Sequence, residues 1–286
     1  EEAFKLLGLA LTVPRFDQEP LTRVKNQILA GLRASKENPK NMAGRLWWQL
    51  AFPNHAYGRS KKGSVNSINA ITQQDMKQFV KRTFTKDNIT ISIVGDITPE
   101  EVGDALDKIF VDLPESFSGT NVEEGIAENG GETVIVERDI PQSVVIFGSI
   151  GIKRRDPDWY AATILFEILS GGFGSRLTEE IREKRGLTYG VSAYPLPLEK
   201  AGVIVGNVST VNDRVAESIQ LIKDIWQDFG EKGPTPTEMQ NAKDYINGSF
   251  PLRFTNSKTI AGVLNAVQHF DLGIEYLENR SKLIDQ

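Results

Sequence analysis

The 286-residue chain contains no cysteine, which excludes disulfides and cysteine-ligated metal and fits a reducing and an oxidising compartment alike. Histidine is nearly as scarce, with only His55 and His269 present. No run of about 18 apolar residues occurs, so no membrane span is expected in this region. The sequence opens at Glu1 inside a helical pattern, and no signal peptide is visible; if the natural protein has one, it precedes Glu1. Basic residues are not in excess. Lys and Arg total 33 against 38 Asp and Glu, a net charge of −5, which argues against a general nucleic-acid binder. The one basic run, Lys153 to Arg155, reads as a solvated turn.

What is present is an ordinary globular composition, 40% hydrophobic and 25% charged, in a chain long enough for two domains. Three helices are expected first, Glu1 to about Val13, Glu19 to about Lys36 and Lys40 to about Phe52, with prolines 14, 20 and 39 at the joints. A loop follows over Asn54 to Ser67. Thr72 and Asp75 resemble a capping box for a helix ending at Phe84, the strand Asn88 to Val94 comes next, and Thr98 with Pro99 opens a helix to Phe110. Residues 112–131 are rich in Gly, Glu, Ser and Asn and carry little hydrophobic pattern, which makes them the expected linker between a domain at 1–111 and another at 132–286.

The second region begins with two alternating segments, Glu132 to Arg138 and Gln142 to Gly148, expected as paired strands. The helix Asp158 to Leu169 is apolar nearly all round and is expected to be buried. In the stretch GGFGSRLTEEIREKRGLTYGVSA, Gly171 to Ala193, Ser175 is a candidate cap, Leu177 and Ile181 share a helical face, and Gly186 ends the helix. From Leu187 alternation predicts a strand with Leu187, Tyr189, Val191 and Ala193 on one face. Arg182 and Tyr189 are then two donors, neither a nucleophile nor a base at neutral pH, that fold back toward one space. The strand Gly202 to Thr210 follows, then an amphipathic helix through Val215, Ile219, Ile222, Trp226 and Phe229, and two more helices from Thr237 and Lys258.

The chain also repeats itself. A shift of 218 residues places Lys25 on Lys243, Ile28 on Ile246, Lys40 on Lys258 and the pair Ala43 and Gly44 on Ala261 and Gly262, without a gap. Helix, break, helix, break, helix coincide as well, so the two passages are expected to be one structural unit used twice. If the second repeat starts near Glu132, the first starts about 86 residues before Glu1 and the second runs past Gln286, so both ends are expected to be truncated.

These residues resemble the pitrilysin, insulinase and mitochondrial processing peptidase family of zinc metallopeptidases. The resemblance covers nearly the whole chain and is most specific in GGFGSRLTEEIREKRGLTYGV, supported by DPDWYAATILFEILSGG, by NHAYGRSKKGSVNSINAITQQDMKQFVKRTF and by SIVGDI. It implies an α+β fold of the LuxS and processing-peptidase type, with duplicated domains, each an antiparallel sheet with helices packed mainly on one face, enclosing a peptide-holding chamber. It also maps the family's second-domain Arg and Tyr onto Arg182 and Tyr189. There the guanidinium would hold a substrate backbone carbonyl, and the phenol would polarise the scissile carbonyl and stabilise the oxyanion. The bland alternative makes Arg182 a surface residue paired with Glu179 or Glu183, and Tyr189 a core-facing strand tyrosine.

The chain departs from the catalytic pattern in its metal site. Family enzymes use two His and a Glu as zinc ligands, with the Glu of HxxEH as general base. HxxEH is absent here, and the distal ligand position aligns with Gly31, which has no side chain. A shift of one turn would offer Glu19 or Glu37 instead, each near a helix end. His55 in NHAYG and His269 read as structural, GGFGSR is not a phosphate loop, and Trp47, Trp48 and Trp226 read as packing residues. The resemblance therefore implies a substrate-binding subunit with no metal or cofactor of its own, paired in a heterodimer with an HxxEH-bearing homologous subunit that carries zinc. Peptide is its expected substrate, and the bacterial periplasm its expected location, with the cytoplasm as the alternative. Two rival readings stay open: a noncatalytic scaffold of the same fold, and a complete zinc peptidase whose HxxEH lies upstream.

Overall fold

The structure, a computed structural model, describes residues 2–286; the expected first residue of the first helix, Glu1, lies outside them. Six helices come first: α1 (Glu2–Thr12), α2 (Gln18–Glu37), α3 (Pro39–Ala51), α4 (Val65–Ala70), α5 (Gln73–Thr83) and α6 (Pro99–Phe110). Strand β1 (Gln142–Ile150) and helix α7 (Trp159–Ser170) follow, then strands β2 (Val191–Pro197) and β3 (Gly202–Val211). The chain continues through α8 (Val215–Lys232), α9 (Pro236–Ser249), α10 (Ser257–His269) and α11 (Tyr276–Asp285). Among the described residues no helix is long and apolar enough to cross a membrane.

Local chemistry sets most of these boundaries. The Thr72, Thr98 and Thr235 side chains each accept from the amide three residues on, while Asp75, Glu101 and Glu238 bond back to the threonine amide. The first half of α4 lies in the segment read as loop, because its cap is a pair of serines, Ser64 and Ser67, and its six residues are too few to show a helical period.

Two expected strands do not form. Residues 88–94 have no ladder partner among the described residues; instead the Gln268 amide donates to Ile91 O at 3.1 Å and to Ser92 Oγ at 2.8 Å. Residues 132–138 alternate in sequence yet stay unpaired, leaving Ile135 81% exposed, and the hairpin expected there is absent. Alternation reports a face, and a strand also needs a neighbour.

The chain divides into two compact units. One consists of the residues up to Ser35, Ser60–Val122 and Arg253–His269; the other of Lys36–Arg59, Glu123–Leu252 and Phe270–Gln286. In the first, Leu29, Ile68, Val80, Ile109 and Leu113 are buried, and Gly8 of α1 lies beside Ile109 of α6.

The second unit is built on an antiparallel sheet in the order β1-β3-β2. Val145 and Val191 both pair with Val208, and Phe147 and Ala193 both pair with Gly206, so these residues share one face. That face packs under α7 and α8, with Leu169, Leu177, Ile181, Leu187 and Ile222 in the same core and Trp226 edge-on to Phe147 and Phe166. On the opposite face Trp47 of α3 lies against Gly148, where a Cβ would come within 2.5 Å of the indole and 2.3 Å of Ile204 O. The basic triplet is engaged within this unit. Lys153 pairs with Glu124, Arg155 with Asp271, and Arg154 lies over Trp159, Tyr160 and Tyr276 at 5.0, 5.6 and 5.4 Å.

The repeat is visible in the helices and their caps. Moved by 218 residues, α3 falls on α10 from end to end. A further identity, Asn38 and Asn256, emerges from the caps: each side chain accepts from the amide three residues on, Asn41 and Thr259, at 3.0 Å in both cases. The equivalent lysines also match. Lys25 Nζ bonds Asn69 O and Ile71 O at 2.9 and 2.8 Å, and Lys243 Nζ bonds Asp285 O at 2.6 Å, so each ties down the end of a later helix.

Candidate functional site

The stretch from Gly171 to Ala193 lies in the second unit, between α7 and the edge strand β2; α7, expected to be buried, buries Ile164, Ile168 and Leu169 but leaves Ala161 and Leu165 exposed. α7 is anchored by Ile164, Ile168 and Leu169, and its last residue, Ser170, accepts the Ala193 amide through Oγ at 2.7 Å. Glu167 folds over Gly171, where a Cβ would meet its Cδ at 2.2 Å, and burial pushes its carboxyl above the ordinary range. Gly172 and Gly174 have φ of +151° and +88°, conformations that favour glycine, and between them Phe173 projects into solvent at 84% exposure. Buried Ser175 does not cap as expected. Its Oγ sits 2.7 Å from Gly172 O and 3.0 Å from Thr178 Oγ1, which fixes the glycine turn instead.

The helix that follows is wider than expected. Over Thr178–Glu183 it is a π-helix, with Lys184 N bonding Glu179 O at 2.9 Å, and it ends at Gly186 with φ +58°. Leu177 and Ile181, both fully buried, fasten it to the core as their i, i+4 spacing predicts. π-Helical turns recur at functional sites because the extra residue re-aims side chains at a cost in regularity.

Most charged side chains here are engaged by near neighbours. Arg176 holds Glu238 through Nε and Nη2 at 2.7 and 2.8 Å, donates to Gly233 O at 3.1 Å and stacks on Phe229. Lys184 bonds Glu180 at 2.6 Å, and Arg185 Nη1 bonds Glu180 O at 2.9 Å; first Lys184 and then Arg185 hold the Glu180 carboxyl below its ordinary range.

Arg182 differs. Its Cζ lies 4.9 Å from the Phe173 ring centroid and its Nε 3.4 Å from a Glu183 carboxylate oxygen, and among the described residues its N–H groups meet no hydrogen-bond acceptor. Tyr189 is more open still, at 91% exposure, and its hydroxyl has no hydrogen-bond partner among the described residues. The bland alternative of a core-facing Tyr189 does not hold, although alternation groups it with Leu187, Val191 and Ala193. Leu187, Val191 and Ala193 are buried, but Thr188 Oγ1 accepts the Gly190 amide at 3.0 Å and lies 2.6 Å from Ser209 O. That turn delays β2 until Val191 and turns the phenol out to solvent.

Among the described residues no three of His, Cys, Asp or Glu converge. His55 uses both ring nitrogens, Nδ1 accepting from Tyr57 N at 3.1 Å and Nε2 lying 2.9 Å from Glu123 O. Glu19 and Glu37 are exposed near the two ends of α2, and a Cβ placed on Gly31 would touch nothing within 4 Å. Phe173 is the residue that motif reasoning passed over; its one signal was a bulky apolar side chain between glycines.

Residues 70–246 match the family model described as the peptidase M16 inactive domain. The chain is 30% identical to a non-peptidase homologue, YmxG, of Helicobacter pylori, over 99% of this chain and 65% of that protein. A Bacillus subtilis protein described as an uncharacterized zinc protease, also YmxG, is 24% identical over 85% of this chain and 59% of its own length. The chain thus spans about three fifths of these curated relatives. The crystal structure of a peptidase M16 inactive domain from Pseudomonas fluorescens superposes with a TM-score of 0.93 at 30% identity, covering 99% of this chain and 68% of that one.

Proposed function

The chain belongs to the peptidase M16 family, and from that premise we propose that it is the zinc-free, substrate-binding subunit of a metalloendopeptidase that cleaves peptides in an enclosed chamber. In this reading an HxxEH-bearing homologous subunit supplies the metal and the general base, and this chain supplies Arg182 and Tyr189 to a composite site. The observation that carries it is a contrast in hydrogen bonding. Arg176, Lys184 and Arg185 all hydrogen-bond to neighbours, whereas Arg182, which pairs with Glu183 at 3.4 Å as the bland alternative expects, and Tyr189 make no hydrogen bond among the described residues, and these are the two donors singled out by the family pattern.

The chemistry suits the residues. A guanidinium presents several N–H groups in one plane and takes a peptide carbonyl without changing protonation. A phenol donates to an oxygen whose negative charge grows as a tetrahedral intermediate forms, and one such donor is worth about 100- to 1000-fold in rate. No step assigned to this chain passes through a metal. The test is peptide turnover by the full-length protein mixed with the HxxEH-bearing subunit, comparing the wild type with Arg182→Ala. Turnover indifferent to that substitution returns the chain to the rival role of a scaffold.

A further inference from the structure

We propose that Phe173 is a positioning residue: its ring holds the Arg182 guanidinium in the orientation in which the N–H edge can take a peptide carbonyl. This deepens the function proposed above and rests on it for its consequence, though not for its geometry. Phe173 has no packing role that would explain it, since 84% of it is exposed. It stands between Gly172 and Gly174, both at positive φ, in a turn that buried Ser175 pins through Gly172 O and Thr178 Oγ1. Two glycines locked in one conformation lose more chain entropy on folding than other residues, so the turn presents the ring at a cost.

The contact this turn makes is with Arg182, whose Cζ lies 4.9 Å from the ring centroid. A cation over an exposed ring biases the side chain toward that position about two- to fivefold. A guanidinium that lies parallel to a ring uses its face and leaves its in-plane N–H groups for a ligand, and this is the orientation proposed for Arg182. Glu183 alone would not fix the orientation, because its carboxylate is 54% exposed and pairs with Nε at 3.4 Å without hydrogen-bond geometry. Arg182 stands on the π-helix, and the glycine loop meets it with an aromatic ring.

The test uses the full-length protein with Phe173→Leu, which keeps an apolar side chain but removes the ring, and Phe173→Tyr, which keeps the ring. The Arg182 Nε–H resonance, identified by its loss in Arg182→Lys, is expected upfield of the other exposed arginines in the wild type and in Phe173→Tyr. In Phe173→Leu it should return among them. A resonance that does not move in Phe173→Leu overturns the proposal. In parallel, anisotropy of a fluorescein-labelled flexible peptide of Gly, Ser, Ala and Leu should show affinity about threefold weaker in Phe173→Leu, restored in Phe173→Tyr, and no further loss when Phe173→Leu is added to Arg182→Ala. An equal loss in the Arg182→Ala background also overturns it. If Arg182→Ala itself leaves peptide affinity unchanged, or the wild type does not bind, the functional reading fails, and the resonance still decides whether Phe173 positions Arg182.

Discussion

Arg176 and Glu238 close a two-bond fork, Nε to Oε1 at 2.7 Å and Nη2 to Oε2 at 2.8 Å, that fastens the start of the functional stretch to the first turn of α9. Both side chains are largely covered, at 20% and 30% exposure, so the pair is shielded more than an open surface ion pair. The same Glu238 also closes the capping box with Thr235.

This fork predicts a specific acid sensitivity. Arg176 first, then the Thr235 amide and hydroxyl, hold the Glu238 carboxyl at about 2, below the ordinary 4.5. The unfolded chain therefore takes up a proton near the ordinary value while the folded chain does not until about 2. Its stabilising contribution, on the order of 2 kcal/mol, is complete above the ordinary value and is lost as pH falls toward 2. Urea midpoints measured near neutrality and at about pH 3 should converge between wild type and Glu238→Gln at the lower pH. A constant gap between them would show that the carboxylate is not the cause.

Ile181 is fully buried on the π-helix next to Arg182. Ile181→Ala should cost about 2–5 kcal/mol in urea unfolding, because the core beneath the sheet cannot refill the space. Retained stability would mean that the π-helix is not anchored through this face.

The repeat predicts paired capping effects. Asn38→Ala and Asn256→Ala should each cost about 1 kcal/mol, with Asp tolerated at both positions, since each side chain accepts an amide N–H at the start of its helix. Thermal unfolding of the two variants would show it. A loss at one position only would break the equivalence.

Sequence reasoning reached what local chemistry determines. Thr72 with Asp75, Thr98 with Pro99, and the Leu177 and Ile181 stripe all act within one turn of helix, and all appear as read. It failed where the partner is distant. Ile89, Ile91 and Ile93 alternate as a strand should, but the pairing of residues 88–94 depends on a neighbour that local pattern does not identify. The face of Tyr189 does not follow from alternation, because the bond from the Gly190 amide to Thr188 Oγ1 interrupts the strand pattern before Val191. The π-helix leaves no period in six residues, so the meeting of Arg182 with Phe173 was out of reach of motif spacing.

Removing the two donors should leave the fold intact. Tyr189 is 91% exposed, and Arg182 makes only a surface ion pair with Glu183 and the contact with Phe173, so Tyr189→Phe should shift stability by less than about 0.5 kcal/mol and Arg182→Ala by no more than about 1 kcal/mol. Differential scanning fluorimetry checks this. A large loss would give either residue a structural duty and weaken its assignment to function.

The most direct measurement is zinc content and peptidase activity of the full-length protein, alone and mixed with an HxxEH-bearing homologous subunit. The isolated chain should hold no stoichiometric zinc and show no turnover. In the mixture, turnover should fall about 100-fold or more with Arg182→Ala or Tyr189→Phe. Stoichiometric zinc with activity in the isolated chain would contradict the proposed role, as would a mixture whose turnover ignores both substitutions.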